Sequence, residues 1–87
     1  MFFAKQVSIP ASSTLDLMAA IGSGGEMVIE VLGTSTTYLS SDSGAVSADA
    51  VGPLTAARSL PVSDGDEVYL INIDSQAVKV SVVAYTV

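Results

Sequence analysis

Between Phe3 and Ile9 the chain alternates, with Phe3, Lys5, Val7 and Ile9 on one side and Ala4, Gln6 and Ser8 on the other, until Pro10 stops the pattern. A period of two places successive side chains on opposite faces, so this segment predicts a strand with one buried side. From Glu26 to Leu32 the same period recurs. Met27, Ile29 and Val31 share one face, and Glu30 marks the wetter one. Gly33 to Ser35 punctuate this strand, and Thr36 to Ser41 is rich in β-branched and aromatic residues, which together predict a hairpin. Ser41-Asp42-Ser43-Gly44 then turns the chain.

The stretch from Ala45 to Val62 is weaker. Pro53 and Pro61 limit any hydrogen-bonded ladder and Gly52-Pro53 reads as a turn, so short, irregular edge strands are expected. Ser63-Asp64-Gly65-Asp66 supplies the next turn, Glu67 to Ile73 a strand that is apolar on both faces and therefore central, and Asp74-Ser75-Gln76 another turn. Ala77 to Val87 closes the chain as a strand, predicted to form a meander with the one before it.

One segment departs from the β pattern. Ser12-Ser13-Thr14 offers capping hydroxyls, Leu15, Met18 and Ala19 follow helical spacing, and Gly22 stands where a helix would stop. The other reading makes Thr14 to Leu17 a strand that enters a flexible bend at Gly22 to Gly25; the helix, near residues 14–21, is preferred. The expected architecture is a mainly all-β, small antiparallel β-sandwich, one domain over 1–87, with 1–10 as an N-terminal strand or arm.

Composition narrows the chemistry. Three Lys plus Arg against nine Asp plus Glu leave a net charge of −6, which argues against nucleic acid and anionic membranes as partners. The sequence has no Cys and no His, so disulfides, thiolates, the usual zinc ligands and the commonest proton carrier are absent. No serine has a recognisable base, and Lys5 and Lys79 lie in strand patterns, so no catalytic residue is assigned and an enzyme is not expected. Asp64, Asp66 and Glu67 lack the remaining oxygen donors of a calcium loop and read as a solvated turn. Gly22-Ser23-Gly24-Gly25 lacks the Lys and Ser/Thr of a phosphate-binding loop. No cofactor or metal is therefore expected. A secretory signal is not expected at the start of the chain, because Lys5 comes after Met1-Phe2-Phe3, and polar Gln6 and Ser8 break the apolar run that such a signal needs.

Apolar residues make up 49% of the chain and charged residues only 14%, against about 25% charged in an average domain. So small a domain buries little more than about 60% of its unfolded surface. Contacts with another chain are expected to cover some of the rest. Phe2 and Phe3, with Lys5 beside them, are the candidate contact residues, being bulky and apolar near a chain end; burial in the protein's own core is the alternative.

Taken in order, "VIEVLGTSTTYLSSDSGAVSA", "GPLTA" and "VSDGDEVYLINID", with a closing strand after them, resemble small head proteins of tailed bacteriophages. The resemblance runs from Met27 onward. It implies a capsid decoration, or cement, protein, made in the host cytoplasm and carried on the virion surface, whose partner is the major capsid protein and whose usual assembly is a homotrimer. The rival expectations are a head-fibre or tail attachment module, and a cellular β-sandwich that binds a sugar or peptide, for which Tyr38 beside Ser40, Ser41 and Asp42 is the nearest approach to a site.

Overall fold

The computed structural model describes residues 1–22 and 25–87. Among the described residues, seven strands form two antiparallel sheets, so the chain has the expected mainly β sandwich architecture. In chain order they are β1 (Phe2–Ile9), β2 (Thr14–Asp16), β3 (Met27–Leu32), β4 (Thr37–Ser40), β5 (Arg58–Val62), β6 (Tyr69–Asn72) and β7 (Val78–Thr86); one short helix, α1 (Leu17–Ile21), comes directly after β2. The four-stranded sheet runs β1-β7-β3-β5 and the three-stranded sheet β2-β6-β4.

The alternation seen in the sequence selects the core. Met27, Ile29 and Val31 of β3 point inward beside Val80, Val82 and Ala84 of β7, and Ile9 joins them from β1. Leu70 of β6 and Leu17 of α1 meet them from the other layer, both without exposed surface. Each of these Val, Leu, Ile and Met side chains contributes about 1.5–3 kcal/mol by leaving water, and Ala84 less. Glu30 and Leu32 of β3 lie exposed on the opposite face.

Two expected pairings do not form. β3 and β4 are adjacent in sequence but belong to different sheets, so the hairpin is replaced by a crossover through Gly33 to Thr36. Its corner is closed by side-chain bonds: the Thr37 hydroxyl donates to the Thr34 carbonyl and accepts from the Thr34 amide. A Cβ on Gly33 would collide with that hydroxyl, so the corner needs glycine. Likewise β6 and β7 lie in different sheets, and the expected meander is a second crossover. Alternation identifies the two faces of a strand, but carries no information about which strand pairs with it.

The ambiguous segment contains both predicted structures. Thr14–Asp16 is a strand paired with β6, and the helix begins only at Leu17. Its cap is Asp16, whose Oδ1 accepts from the Ala19 amide at 3.2 Å, rather than the hydroxyls of Ser12 to Thr14. Gly22 ends the helix in the left-handed conformation, with its amide on the Met18 carbonyl. Of the bend expected over Gly22 to Gly25, Ser23 and Gly24 lie outside the described residues. The weak stretch yields a 3-10 turn (Ser47–Asp49) and β5, an edge strand as expected.

Candidate functional site: the outer face of the four-stranded sheet

The strand register aligns four apolar residues across the solvent face of the larger sheet. Phe2 lies opposite Tyr85, Tyr85 opposite Val28, and Val28 opposite Pro61. These directly opposed residues share a face, and their side chains lie within contact range. The next row reads Ala4, Val83, Glu30 and Ser59, and beyond it Gln6, Ser81 and Leu32. The face thus grades from apolar at the Phe2 end to polar at the Ser8 and Lys79 end.

Exposure makes the row available for contact. Phe2 is 72% exposed and Tyr85 38%, and Val87 is almost wholly open next to a shallow groove formed with Val28 and Pro61. Contiguous exposed apolar groups on one face are the ordinary mark of an interaction surface, whereas single scattered ones are not. Tyr85 contributes an aromatic ring and a hydroxyl, the combination enriched at interface centres.

The structure divides the three candidate residues. Phe2 points outward into the apolar row, whereas Phe3 turns inward and packs, half-buried, against the core cluster. Lys5 shares the inward side but sits at the sheet edge, exposed, with its ammonium 5.7 Å from the centre of the Phe3 ring. That cation–π contact is worth about 0.5–1 kcal/mol at an exposed site. Sequence reading missed Tyr85, Val28 and Pro61, which come from three different strands and become neighbours only through the register.

The other candidates do not assemble into sites. Tyr38 is half-buried, with Gly52 so close that a Cβ there would stand 2.8 Å from the tyrosine ring. Ser40 Oγ accepts from the Asp42 amide, and Asp42 Oδ1 from the Gly44 amide, so both oxygens are used locally. At the Asp64 to Glu67 turn, Asp66 Oδ2 accepts from the Ser63 amide at 2.8 Å, a turn contact. Among the described residues no three acids cluster in a way that could hold a metal ion, and no helix is long and apolar enough to cross a membrane.

Comparison with known protein families, curated proteins and solved structures finds no match to this chain.

Proposed function

We propose that this protein is a non-catalytic structural component that binds another protein through the outer face of its four-stranded sheet, and that this partner is the major capsid protein of a tailed bacteriophage. The observation that supports docking is the apolar row Phe2–Tyr85–Val28–Pro61, held across the four-stranded sheet. The capsid as partner rests on the resemblance of the segments from Met27 onward to small phage head proteins. A decoration protein needs no reactive group. It needs a firm body and a flat footing that buries about 1,000 Å² or more in total, and a sheet face suits that geometry.

The test is quantitative mass spectrometry of gradient-purified virions, reporting copies of this chain per major capsid subunit. A simple stoichiometric ratio is expected. A few copies per particle would point instead to a head-fibre or tail module, and absence from the particle would overturn the viral reading. Heads lacking the protein, mixed with a folded Phe2→Ser, Tyr85→Ser variant, should retain much less of it than of the native chain. Equal retention would remove the outer face as the footing.

A further inference from the structure

The larger sheet ends in two unlike edges. The Thr86 amide donates to the Met1 carbonyl, which makes those two a hydrogen-bonded pair. Antiparallel ladders alternate, so Phe3, Lys5, Val7 and Ile9 turn their main-chain groups toward β7, and Phe2, Ala4, Gln6 and Ser8 turn theirs outward. The bond from the Val87 amide to the Glu26 carbonyl fixes the other edge by the same logic. It sends Arg58, Leu60 and Val62 toward β3, leaving Ser59 and Pro61 outward.

Pro61 therefore stands where an added strand would need an N–H, and it blocks that edge. The smaller sheet is closed in other ways. At β4 the amide and carbonyl of Leu39 are both bonded to Val51 at 2.8 Å, and β2 is only three residues long. Among the described residues β1 alone presents a long row of outward main-chain donors and acceptors with no proline, an unbroken register and one charged side chain. Natural sheets normally guard such an edge with prolines, bulges or charged side chains, and on β1 Lys5 is the one such guard.

We infer that β1 is a self-pairing edge, and that two copies of this chain join antiparallel along it into one continuous eight-stranded sheet. The second copy is the partner because β1 is the one strand that an identical molecule can offer. Pairing it antiparallel with itself is a two-fold contact that closes at two copies. Chemistry sets the register. Outward residues must pair with outward residues, so the axis passes through Ala4, Lys5 or Gln6. Centring on Lys5 sets two ammonium groups face to face, and centring on Ala4 engages only Phe2 to Gln6 within β1. Centring on Gln6 pairs Phe3 with Ile9, Ala4 with Ser8 and Lys5 with Val7 of the other copy, and lets the two Gln6 amides bond each other. The dimer carries two apolar rows on its outer face, and it replaces the homotrimer that the phage resemblance implies. It does not rest on the capsid reading, since the isolated chain is what is tested.

Light scattering of the native chain at high concentration should give twice the 8.8 kDa chain mass. Ala4→Pro removes only an outward N–H and should give a folded monomer by circular dichroism. Should that variant fail to fold, Gln6→Cys provides an independent measurement, because the native chain has no cysteine. Facing residues of a hydrogen-bonded pair lie about 5.5 Å apart at Cα, within disulfide range, so mild oxidation should cross-link this variant into dimers, and Ala4→Cys far less. A monomeric or trimeric native chain, a folded Ala4→Pro dimer, or a Gln6→Cys chain that does not cross-link overturns the inference.

Discussion

The two sheets of this sandwich finish their outer faces differently. On the three-stranded sheet Ile71 points to the same side as Tyr38 and Thr14, away from the opposing layer, yet it is only 6% exposed. The connection between β4 and β5 returns along the edge of that sheet, bridging Val51 to Leu39 and laying Gly52 against Tyr38, and its Ala45 to Ser47 stretch lines a groove together with Thr14 and Ile71. On the four-stranded sheet the equivalent positions, Phe2, Tyr85 and Val28, are exposed or half-covered. One face is covered within the chain and the other lies open to solvent. The interior differs as well. The larger sheet relies on apolar alternation, whereas the smaller places Asn72, 1% exposed, among main-chain carbonyls.

Asn72 gives the most forceful way to break this contrast. Its Nδ2 donates to the carbonyls of Ile9, Pro10 and Gln76, and its Oδ1 accepts from the Asp74 amide, so one side chain ties the end of β1 to the β6–β7 crossover. Asn72→Asp removes the donors and sets a carboxylate against those carbonyls. A buried group left unpaired in this way costs about 3–5 kcal/mol, a large part of the roughly 4–13 kcal/mol expected for a domain of this length. Urea denaturation should show a collapse of the midpoint or no cooperative transition.

Lifting the cover from the smaller sheet should cost less. A Cβ at Gly52 would meet the Thr37 carbonyl at 3.0 Å and the Tyr38 ring still closer, so Gly52→Ala must push the covering connection outward. About 1–3 kcal/mol is expected, with faster amide exchange at Leu39 and Val51 as the specific sign. On the bare face, Phe2→Ser should change stability by no more than about 0.5 kcal/mol, because the side chain is largely exposed and meets its own fold through the cross-strand neighbour Tyr85 at the sheet edge. A large loss of stability there would make Phe2 structural and erase the contrast.

The smallest effect concerns Tyr69. Its hydroxyl donates to Glu67 Oε1 at 3.1 Å, and this bond, then partial desolvation and the negative charges of Glu67, Asp16 and Asp42, hold its pKa above the usual 10.0. Raising the pKa favours the neutral phenol in the folded state, so the associated stability is present below pH 10 and fades as pH rises through the folded value. Ultraviolet titration should show Tyr69 ionising above the usual 10.0, and Glu67→Ala should lower its pKa.

The alternating segments were legible from residues alone: β1, β3 and the central position of β6 follow from where Val, Ile, Leu and Met fall along the chain. Phe2 was legible as a candidate contact, because a bulky apolar residue near a chain end has few internal partners. Tyr85, Val28 and Pro61 were not, since each reads as an ordinary strand residue until the register sets it beside Phe2.

Local matters therefore follow from the residues alone: which segments are strands, which faces are apolar, where the turns fall, and that no His or Cys is present. Which strand lies beside which follows only from the folded arrangement. The expected hairpin and meander are crossovers, and side-chain bonds at Thr37 and Asn72 fasten the chain where it passes from one layer to the other. The apolar row and the open β1 edge exist only once strands distant in sequence lie side by side, since a period of two fixes direction within a strand and nothing between strands.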